Sequence, residues 1–595
     1  MFLEIEICLC VLAVVLALTV PSLGSRWFEA IERTLGKVAR RRGLSVIAVG
    51  LTALTLRAAL LPILPIPQPL MQDEFAQLLT ADTFAHGRLT NPTPHLWTHF
   101  ESLFIILKPT YNSKYPVAPS ALMALGQVLF GHPFWGVWLS VGLMCAAITW
   151  MLQAWVGEGW ALLGGFLAVA RIAAFSYWAN SYWGGAVAAM GGALALGALP
   201  RLKQEHRVRN ALLMALGLAI LANSRPYEGL VLSLPIAVAL FVWMLGKRRP
   251  PLSVSLRRVV LPICLFLGLT GAWMGYYNWR VTGNPLRMPY QVYQAQYDPV
   301  PYFLWQHEKP LPAYRHAEMR EWELDVDLSM FRSSKTLGGL MMNELEKLTG
   351  LWLFFLGPMF SLVLVAALVT LPYGFGWKDV SGPVRFLLLA FGASLVGILA
   401  ESYFYLHYAA PMTCLFLVLV LLAMRRLAAG ASPGSARALF LVRAMPVAMV
   451  LLLFLRCGVS LLRPDIRPTN WGTWTSWFSR RDRFPTPGRG GILSALEKQP
   501  GRDVVLVRYS PDLYDIPLHS KDVWPPSGVW EWVYNTADIE SQKVIWAQDM
   551  GPAKNQELID YYKDRRVWLL YADERPPKLA PYSEAAERRL CTGVQ

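Results

Sequence analysis

Long apolar runs recur along the chain and are separated by shorter polar segments. A helix needs about 20 apolar residues to cross roughly 30 Å of hydrocarbon, and most of these runs reach that length. The pattern therefore predicts an α-helical polytopic membrane protein with about twelve spans. The predicted spans cover 3–22, 44–66, 134–156, 159–177, 184–200, 209–222, 229–246, 258–279, 349–372, 384–400, 405–424 and 438–461.

The loops between the spans alternate in charge. Basic loops of membrane proteins stay in the cytoplasm, so the alternation places both termini on the non-cytoplasmic face. The acidic flank of the first apolar run is unlike that of a cleaved signal peptide, and we expect a retained span. The basic loops are 24–43, 201–208, 247–257, 373–383 and 425–437, and the loops poor in Lys and Arg are 67–133, 178–183, 223–228, 280–348 and 401–404.

The amino-acid composition agrees with a membrane protein and bears on which kinds of partner the protein has. Hydrophobic residues make up 54% of the 595 residues and charged residues 16%, and the mean hydropathy is +0.36. Basic cytoplasmic loops and anionic lipid headgroups account for the net charge of +15, so we expect no nucleic-acid partner. The seven cysteines lack paired or metal-like spacing, which predicts neither a disulfide framework nor a structural zinc.

The tail after the last span has an α/β pattern. Residues 503–510, 543–549 and 566–573 are typical of buried strands, and 555–564 is typical of a helix between the last two. The tail lacks GxGxxG, so nucleotide binding is not indicated. The predicted domains are an extra N-terminal span with a basic cytoplasmic loop (1–43), a membrane domain with external loops 67–133 and 280–348 (44–461), an interfacial linker (462–502) and a soluble α/β domain on the non-cytoplasmic face (503–595).

Two adjacent acids, Asp73 and Glu74, follow directly on the predicted span 44–66. Two carboxylates at this position are most often solvated loop charges. A functional role is favoured because the span fixes their height above the membrane and because a helix-like stretch and a long polar loop follow them. The second part of that loop, 115–136, begins with prolines and ends its apolar pattern near Gly131, which predicts a helix lying on the membrane surface.

These residues resemble the GT-C superfamily of membrane glycosyltransferases. Its members carry an acidic motif, often Asp-Glu, at the start of the first large external loop, and that loop closes with a Lys/Tyr-Pro-Pro-like segment and a surface helix. The matching stretches are "QDEF" (72–75) and "SKYPVAPSALMALGQVLFG" (113–131), within a resemblance that spans about 44 to 460. The chain looks most similar to a bacterial branch grouped with the dolichyl-phosphate-mannose protein mannosyltransferases and the lipopolysaccharide-core sugar transferases.

The resemblance implies an enzyme that moves a sugar from a polyprenyl-phosphate carrier to an acceptor hydroxyl. The expected location is the bacterial inner membrane, with the C-terminal domain in the periplasm and a glycan, lipid or protein as acceptor. Asp73 is the expected general base, with Glu74 as helper or alternative. Lys114 is the first choice for the cation that stabilises the leaving lipid phosphate, although Tyr115 stands here between Lys114 and Pro116.

Polar residues elsewhere on the predicted external face complete the expected substrate site. The sequence leaves open whether Arg225 binds phosphate or pairs with Glu228 three residues later. For Asn180, Arg280 and His407 the alternative is anchoring of aromatic segments at the membrane interface. The expected substrate-binding residues are Lys114, Tyr115, Arg225, Glu228, His86, Arg88, Asn180, Arg280 and His407.

No cofactor is expected; some GT-C enzymes use a divalent ion, but nothing in this sequence demands one. The first-loop histidines His86, His95 and His99 lack the spacing of metal ligands. Lys and Arg alone can stabilise a monophosphate leaving group, so we expect metal-independent transfer.

Two other functions suit a membrane protein of this composition. A transporter or flippase for a lipid-linked glycan is expected to show internal repeats and charged residues in mid-span, and the sequence shows no such repeat. A non-catalytic envelope assembly protein would use the tail as its working module. The candidate charges lie at span ends on one predicted face, which favours the enzyme.

Overall fold

The computed structural model describes residues 2–246, 250–430, 435–462, 488–509, 531–574 and 576–582. Most of these residues are helical, as the apolar pattern predicts. The larger part of the predicted interfacial linker, 463–487, lies outside the described residues.

The described α-helices are numbered in chain order. They are α1 (Phe2–Thr19), α2 (Ser25–Ala39), α3 (Arg42–Ala59), α4 (Gln72–Ala85), α5 (Ala118–Phe130), α6 (Phe134–Trp155), α7 (Glu158–Ala168), α8 (Gly185–Glu205), α9 (Val208–Ala222), α10 (Pro226–Leu245), α11 (Leu252–Ser255), α12 (Leu261–Thr282), α13 (Pro289–Gln296), α14 (Ala317–Arg320), α15 (Ser329–Ser333), α16 (Leu337–Leu351), α17 (Gly357–Val369), α18 (Gly382–Leu399), α19 (Thr413–Ala428), α20 (Ser435–Leu462), α21 (Arg489–Glu497) and α22 (Pro552–Tyr561).

Short irregular helices and six strands complete the described structure. The π-helical segments are Val169–Ala173, Leu256–Val260, Glu321–Leu328 and Trp352–Leu356, and the 3-10 segments are Trp97–Phe100, Trp377–Asp379 and Ala410–Met412. The strands are β1 (Ile105–Ile106), β2 (Asn112–Ser113), β3 (Arg502–Arg508), β4 (Val544–Gln548), β5 (Arg565–Tyr571) and β6 (Lys578–Pro581).

Ten helices in the described part of the chain are long and apolar enough to cross a membrane. The protein is therefore a multi-pass membrane protein, as predicted. The predicted span 159–177 is shorter in the structure, whereas the predicted span 209–222 is present at its expected length as α9. The π-helical extension of α7 ends at Ala173, where Asn180 donates its amide to the carbonyls of Ala174 at 3.0 Å and Ser176 at 2.8 Å and holds an irregular turn. Helix α9 has 15 residues, which give a length of about 22 Å.

The chain divides into two compact units. The first unit comprises Met1–Pro67, Phe134–Ala272 and Met341–Arg480. The second comprises Gln68–Pro133, Trp273–Leu340 and Arg481–Gln595, so it gathers most of both predicted external loops together with the C-terminal segment.

Small residues let the helices of the first unit approach closely. A Cβ at Gly217 in α9 would lie 2.7 Å from the carbonyl oxygen of Gly191 in α8, and one at Gly192 would lie 2.0 Å from the carbonyl oxygen of Pro411. Small residues at helix interfaces allow such contacts in membranes. The glycine-rich run at the start of α8 therefore serves packing.

A buried ion pair joins α1 to the π-helical segment after α7 within the first unit. Arg171 Nη1 lies 3.3 Å from Glu6 Oε1, and its Nε donates to the carbonyl of Phe354 at 3.0 Å. Gly357 has a φ of +59°, and a Cβ there would lie 2.6 Å from both Arg171 Nη2 and Glu6 Oε1. A bare backbone is therefore required beside this pair.

The second unit contains a four-stranded sheet with the order β4-β3-β5-β6. Strand β3 is parallel to β4 and β5, and β6 is antiparallel to β5. The three predicted strands and the predicted helix are present as β3, β4, β5 and α22. The buried side chains of the sheet pack with Ile492 and Leu496 of α21, so the segment before residue 503 also contributes to this core.

Candidate functional site

Asp73 and Glu74 lie in the first turn of α4, inside the second unit. Asp73 is 7% exposed and Glu74 is fully buried. The helix predicted from the stretch after Asp73 is therefore present, and both carboxyl groups are removed from solvent. The description of these acids as solvated loop charges does not hold.

Glu74 stabilises the start of α4. Its Oε2 accepts the backbone N–H groups of Leu70 at 3.0 Å and Met71 at 3.3 Å. These donors precede or begin the helix and have no intrahelical partner, and a negative charge at this end also suits the helix dipole. Glu74 therefore has a local structural role.

Asp73 is held by the second half of the first loop. The hydroxyl of Tyr115 donates a hydrogen bond to Asp73 Oδ1, and the backbone N–H of Tyr115 donates to Ser113 Oγ at 3.0 Å. Helix α5 follows at Ala118, with Pro119 in its first turn, and Gly131 ends it with a φ of +75°. The predicted proline-initiated helix is thus present, and it begins beside the carboxylate.

Lys114 lies in a box of aromatic rings. Its Nζ is 3.3 Å from the ring centroid of Phe104, 4.6 Å from that of Tyr293 and 5.2 Å from that of Tyr290. The pairing of Ile105 with Ser113 in the β1–β2 ladder brings Phe104 next to Lys114. Phe104 has a φ of +66°, a conformation that non-glycine residues adopt at a cost and that concentrates at functional sites.

Carboxyl groups surround this lysine. Burial lowers the pKa of Lys114, and Asp298, Glu323, Asp73 and Asp327 oppose that shift through their negative charge. Because all these groups share a site with little solvent, the lysine and the carboxyl groups set each other's protonation.

Two of these carboxyl groups come from a π-helical segment of the second predicted loop. Glu323 is 1% exposed, and its Oε1 accepts the hydroxyl of Tyr293 at 2.8 Å. Burial, and then the charge of Asp298, raise the pKa values of Glu323 and Asp327 well above the usual range. The site therefore combines the predicted base with two acids whose protonated forms are favoured by burial.

Sequence reasoning missed the acidic second-loop members of this site, Asp298, Glu323 and Asp327. The signal that was available is the stretch "EWELDVDL" (321–328), in which acids alternate with apolar residues inside an external loop. Glu323 and Asp327 are four residues apart, a spacing that puts side chains on one helical face.

Three predicted substrate-binding residues of the second unit make other, local contacts. His86 ends α4 as its C-cap, with Nδ1 2.8 Å from the carbonyl oxygen of Asp82, and it is about 20 Å from Asp73 along the helix. Arg88 is half-buried, and its backbone N–H donates to the carbonyl of Thr83 at 3.0 Å. Arg280 is exposed at the end of α12 and donates to the hydroxyl of Tyr276 at 3.2 Å.

The remaining predicted residues belong to the first unit. Arg225 Nη1 lies 3.6 Å from Glu228 Oε1, and its guanidinium stands 3.8 Å over the ring of Tyr408. His407 Nδ1 lies 3.1 Å from the hydroxyl of Tyr177.

The first unit also contains a buried lysine that sequence reasoning missed. Lys347 is 1% exposed, and its Nζ donates to Glu344 Oε1 and to the carbonyl of Glu401, both at 2.8 Å. The sequence signal is a lysine at the start of a long apolar run. The bond to the carbonyl of Glu401 satisfies an acceptor just after the end of α18.

Among the described residues, no three His, Cys, Asp or Glu side chains stand where they could hold a metal ion together.

No family model and no curated protein matches the chain. Several solved structures are similar to it. ArnT from Cupriavidus metallidurans in the apo state is 12% identical, with 92% of this chain and 94% of that chain covered and a TM-score of 0.48. ArnT from the same organism bound to undecaprenyl phosphate is also 12% identical, with the same coverage and a TM-score of 0.45.

The oligosaccharyltransferase of Archaeoglobus fulgidus, in a complex with Zn and sulfate, is 11% identical. The match covers 89% of this chain and 67% of that chain, with a TM-score of 0.41. Because the TM-scores are below 0.5, the likeness assigns neither a substrate nor a residue role.

Proposed function

We propose that this chain is a GT-C membrane glycosyltransferase that moves a sugar from a polyprenyl-phosphate carrier to an acceptor hydroxyl. The observation that carries the proposal is the position of Asp73. This carboxyl group is buried at the start of α4, accepts the hydroxyl of Tyr115 and lies close enough to Lys114 to affect its charge. A base beside a cation is what an inverting sugar transfer from a phosphate requires.

Asp73 is the general base, and Glu74 is a supporting residue. The Glu74 carboxyl group accepts two backbone N–H groups, so it is already engaged at the start of α4. Asp73 takes the proton of the acceptor hydroxyl while that oxygen bonds to the sugar C1 and the bond from C1 to the phosphate oxygen breaks. The hydrogen bond from Tyr115 fixes the orientation of the carboxylate during this step.

Lys114 stabilises the negative charge that develops on the lipid phosphate. The aromatic faces around its Nζ hold the ammonium in place by cation–π attraction. A cation held in advance in a site with little water lowers the free energy of the developing charge without reorganisation. In the proposed reaction no metal ion takes part in this step.

Arg225 is a separate candidate for binding an anionic group, and it belongs to the first unit. Its pair with Glu228 leaves the guanidinium held over Tyr408, a geometry that suits a fixed anion-binding group. The proposed setting is the periplasmic face of a bacterial inner membrane, with the C-terminal segment in the periplasm and a glycan, lipid or protein as acceptor.

The test is to reconstitute the purified protein in liposomes with a labelled polyprenyl-phosphate sugar and a hydroxyl-bearing acceptor. We expect the label to become covalently attached to the acceptor and unlabelled polyprenyl phosphate to accumulate in equal amount. A flippase would change the leaflet in which the label lies and leave it on the lipid. A non-catalytic assembly protein would do neither, and either result would overturn the proposal.

A further inference from the structure

Gln72, the first residue of α4, has a buried side chain whose amide has no hydrogen bond to any residue that the structure describes. It is 1% exposed. Neither its Oε1 nor its Nε2 has a hydrogen-bond partner among the described residues. An amide carries one acceptor oxygen and two N–H donors, so both kinds of hydrogen-bonding capacity are unused here.

A buried amide without partners opposes folding. It loses its hydrogen bonds to water and gains none in return, and native proteins contain few such groups. An apolar side chain of similar volume would fill the same space without that cost. The arrangement is consistent with an amide whose partners arrive with a ligand.

The position of Gln72 indicates which ligand. It directly precedes Asp73, the proposed base, and both residues are in the first turn of α4. Neighbouring helix residues point about 100° apart, so the amide flanks the space that the carboxylate serves. The reacting sugar must lie within hydrogen-bond distance of Asp73 and therefore near Gln72.

We propose that Gln72 is a substrate-binding residue that pairs with two neighbouring sugar hydroxyl groups. One hydroxyl donates to Oε1, and the other accepts from Nε2. This inference rests on the proposed function and adds a specificity: the site selects a sugar that carries adjacent hydroxyl groups near the reacting centre. The hydroxyl pair belongs either to the transferred sugar or to the acceptor sugar.

The test compares Gln72→Met with Thr80→Val in the full-length protein. Thr80 is also 1% exposed with an unbonded hydroxyl, but it lies about 10 Å beyond Asp73 along α4. Both variants remove an unbonded polar group, so we expect both to fold with a thermal midpoint equal to or above that of the wild type. We expect Gln72→Met to lower kcat/KM by roughly 10- to 100-fold and Thr80→Val to leave it unchanged.

Substrates that lack one hydroxyl group separate the two sources. If the hydroxyl pair is on the transferred sugar, a deoxy donor lowers the transfer rate of the wild type but not that of Gln72→Met. If the pair is on the acceptor, a deoxy acceptor has this effect instead. Two results overturn the inference while the proposed function stands. One is a kcat/KM of Gln72→Met equal to that of the wild type, and the other is that every deoxy substrate lowers kcat/KM equally in the two proteins. If Gln72→Met does not fold, Gln72→Leu takes its place. Absence of transfer by the wild type in the same assay overturns both.

Discussion

At the residue scale, two adjacent acids have different tasks because their surroundings differ. Glu74 accepts the backbone N–H groups of Leu70 and Met71 and completes the start of α4. Asp73 accepts the hydroxyl of Tyr115 and influences the charge of Lys114. A carboxylate used as a helix cap gains stability from its bonds, whereas a base must exchange a proton with substrate, so the two tasks fall to different residues.

The carboxyl group of Glu531 is expected to make the stability of the fold depend on pH. Glu531 is 9% exposed, and its carboxyl oxygens accept the N–H groups of Val533 at 2.8 Å and Leu103 at 3.3 Å. Burial raises its pKa from 4.5 to about 8; the charge of Glu318 adds to that shift and the charge of Arg489 opposes it. The fold therefore holds Glu531 protonated at neutral pH.

We predict that Glu531→Gln removes a loss of stability at alkaline pH. The folded-state pKa is raised, so the stabilising contribution is complete below about 4.5 and is lost as the pH rises towards 8. Thermal unfolding followed by tryptophan fluorescence should show wild type and variant close together at about pH 5 and the variant higher at about pH 8.5. Parallel curves over this range would contradict the assignment.

The sequence pointed to part of the site at this scale. Asp73, Lys114 and Tyr115 lie in one loop with a fixed order, so a local pattern identified them. Glu323 and Asp327 reach the same site from a loop some 200 residues later, and only the folded chain shows that meeting. His86 lies in the same local stretch, but it ends the helix that Asp73 begins, so the two residues are about 20 Å apart.

At the element scale, α4 is held from both sides within the second unit. Asp82 Oδ1 accepts the side-chain amide of Gln127 in α5, and Oδ2 accepts the N–H of Ala537 in the C-terminal segment, both at 2.8 Å. Phe75 stacks on Tyr534 with ring centroids 4.6 Å apart. The C-terminal segment therefore helps to position the helix that carries Asp73.

Arg489, the first residue of α21, contacts both α4 and the segment that contains Trp532 and Tyr534. It donates to the carbonyls of Trp532 at 3.1 Å and Tyr534 at 2.9 Å, and its guanidinium lies 4.9 Å from the ring centroid of Phe75. We predict that Arg489→Leu destabilises the second unit by about 2–4 kcal/mol, since two hydrogen bonds and a cation–π contact are lost.

Limited proteolysis of the full-length protein checks this prediction. Cleavage of the C-terminal segment should be faster in Arg489→Leu than in the wild type. Arg332→Leu is the matched control, because Arg332 pairs with Glu308 at an exposed position and its loss should leave the cleavage rate unchanged. Equal cleavage rates in the two variants would show that the contacts of Arg489 do not stabilise the C-terminal segment.

Gly357 gives a prediction for the first unit. Its φ of +59° and the ion pair of Arg171 and Glu6 leave no room for a Cβ. We expect Gly357→Ala to lower the thermal midpoint, because the pair must separate or the backbone must shift. Gly268→Ala in α12 is the control: nothing lies within 4 Å of its Cβ position, and alanine favours a helix by about 0.5–1 kcal/mol. A midpoint for Gly357→Ala at or above that of the control would refute this account.

Regular elements were more predictable than short ones. The apolar runs identified the long spans, and prolines with a terminal glycine identified α5, because these signals are local. Strand β6 has four residues and ends in a proline, so its pattern was too short to recognise. Its place in the sheet comes from pairing with β5.

At the scale of the whole molecule, the second unit is built from three separate segments of the chain. Sequence patterns predicted the loops and the tail as separate regions. These segments pack together through contacts between residues that are far apart in sequence. One example is the hydrogen bond of 2.7 Å from the Tyr111 hydroxyl to the carbonyl of Asn535, which no local sequence pattern predicts.

The predicted topology is open to a direct test. Charge alternation places the basic loop 425–437 in the cytoplasm and the C-terminal segment on the opposite face. In a bacterial host, a C-terminal alkaline phosphatase fusion should be active and a C-terminal green fluorescent protein fusion dark, whereas a green fluorescent protein fused after residue 430 should fluoresce. The reverse pattern would contradict the orientation.

The measurement that tests the central claim most directly is the initial rate of sugar transfer by Asp73→Asn beside Glu74→Gln, at equal amounts of folded protein. We predict that Asp73→Asn lowers the rate by about 10²–10⁴-fold with an unchanged thermal midpoint. Glu74→Gln should lower stability by about 1 kcal/mol and keep most of the rate, since it weakens a helix cap. A wild-type rate in Asp73→Asn, with the loss appearing in Glu74→Gln instead, would contradict the account.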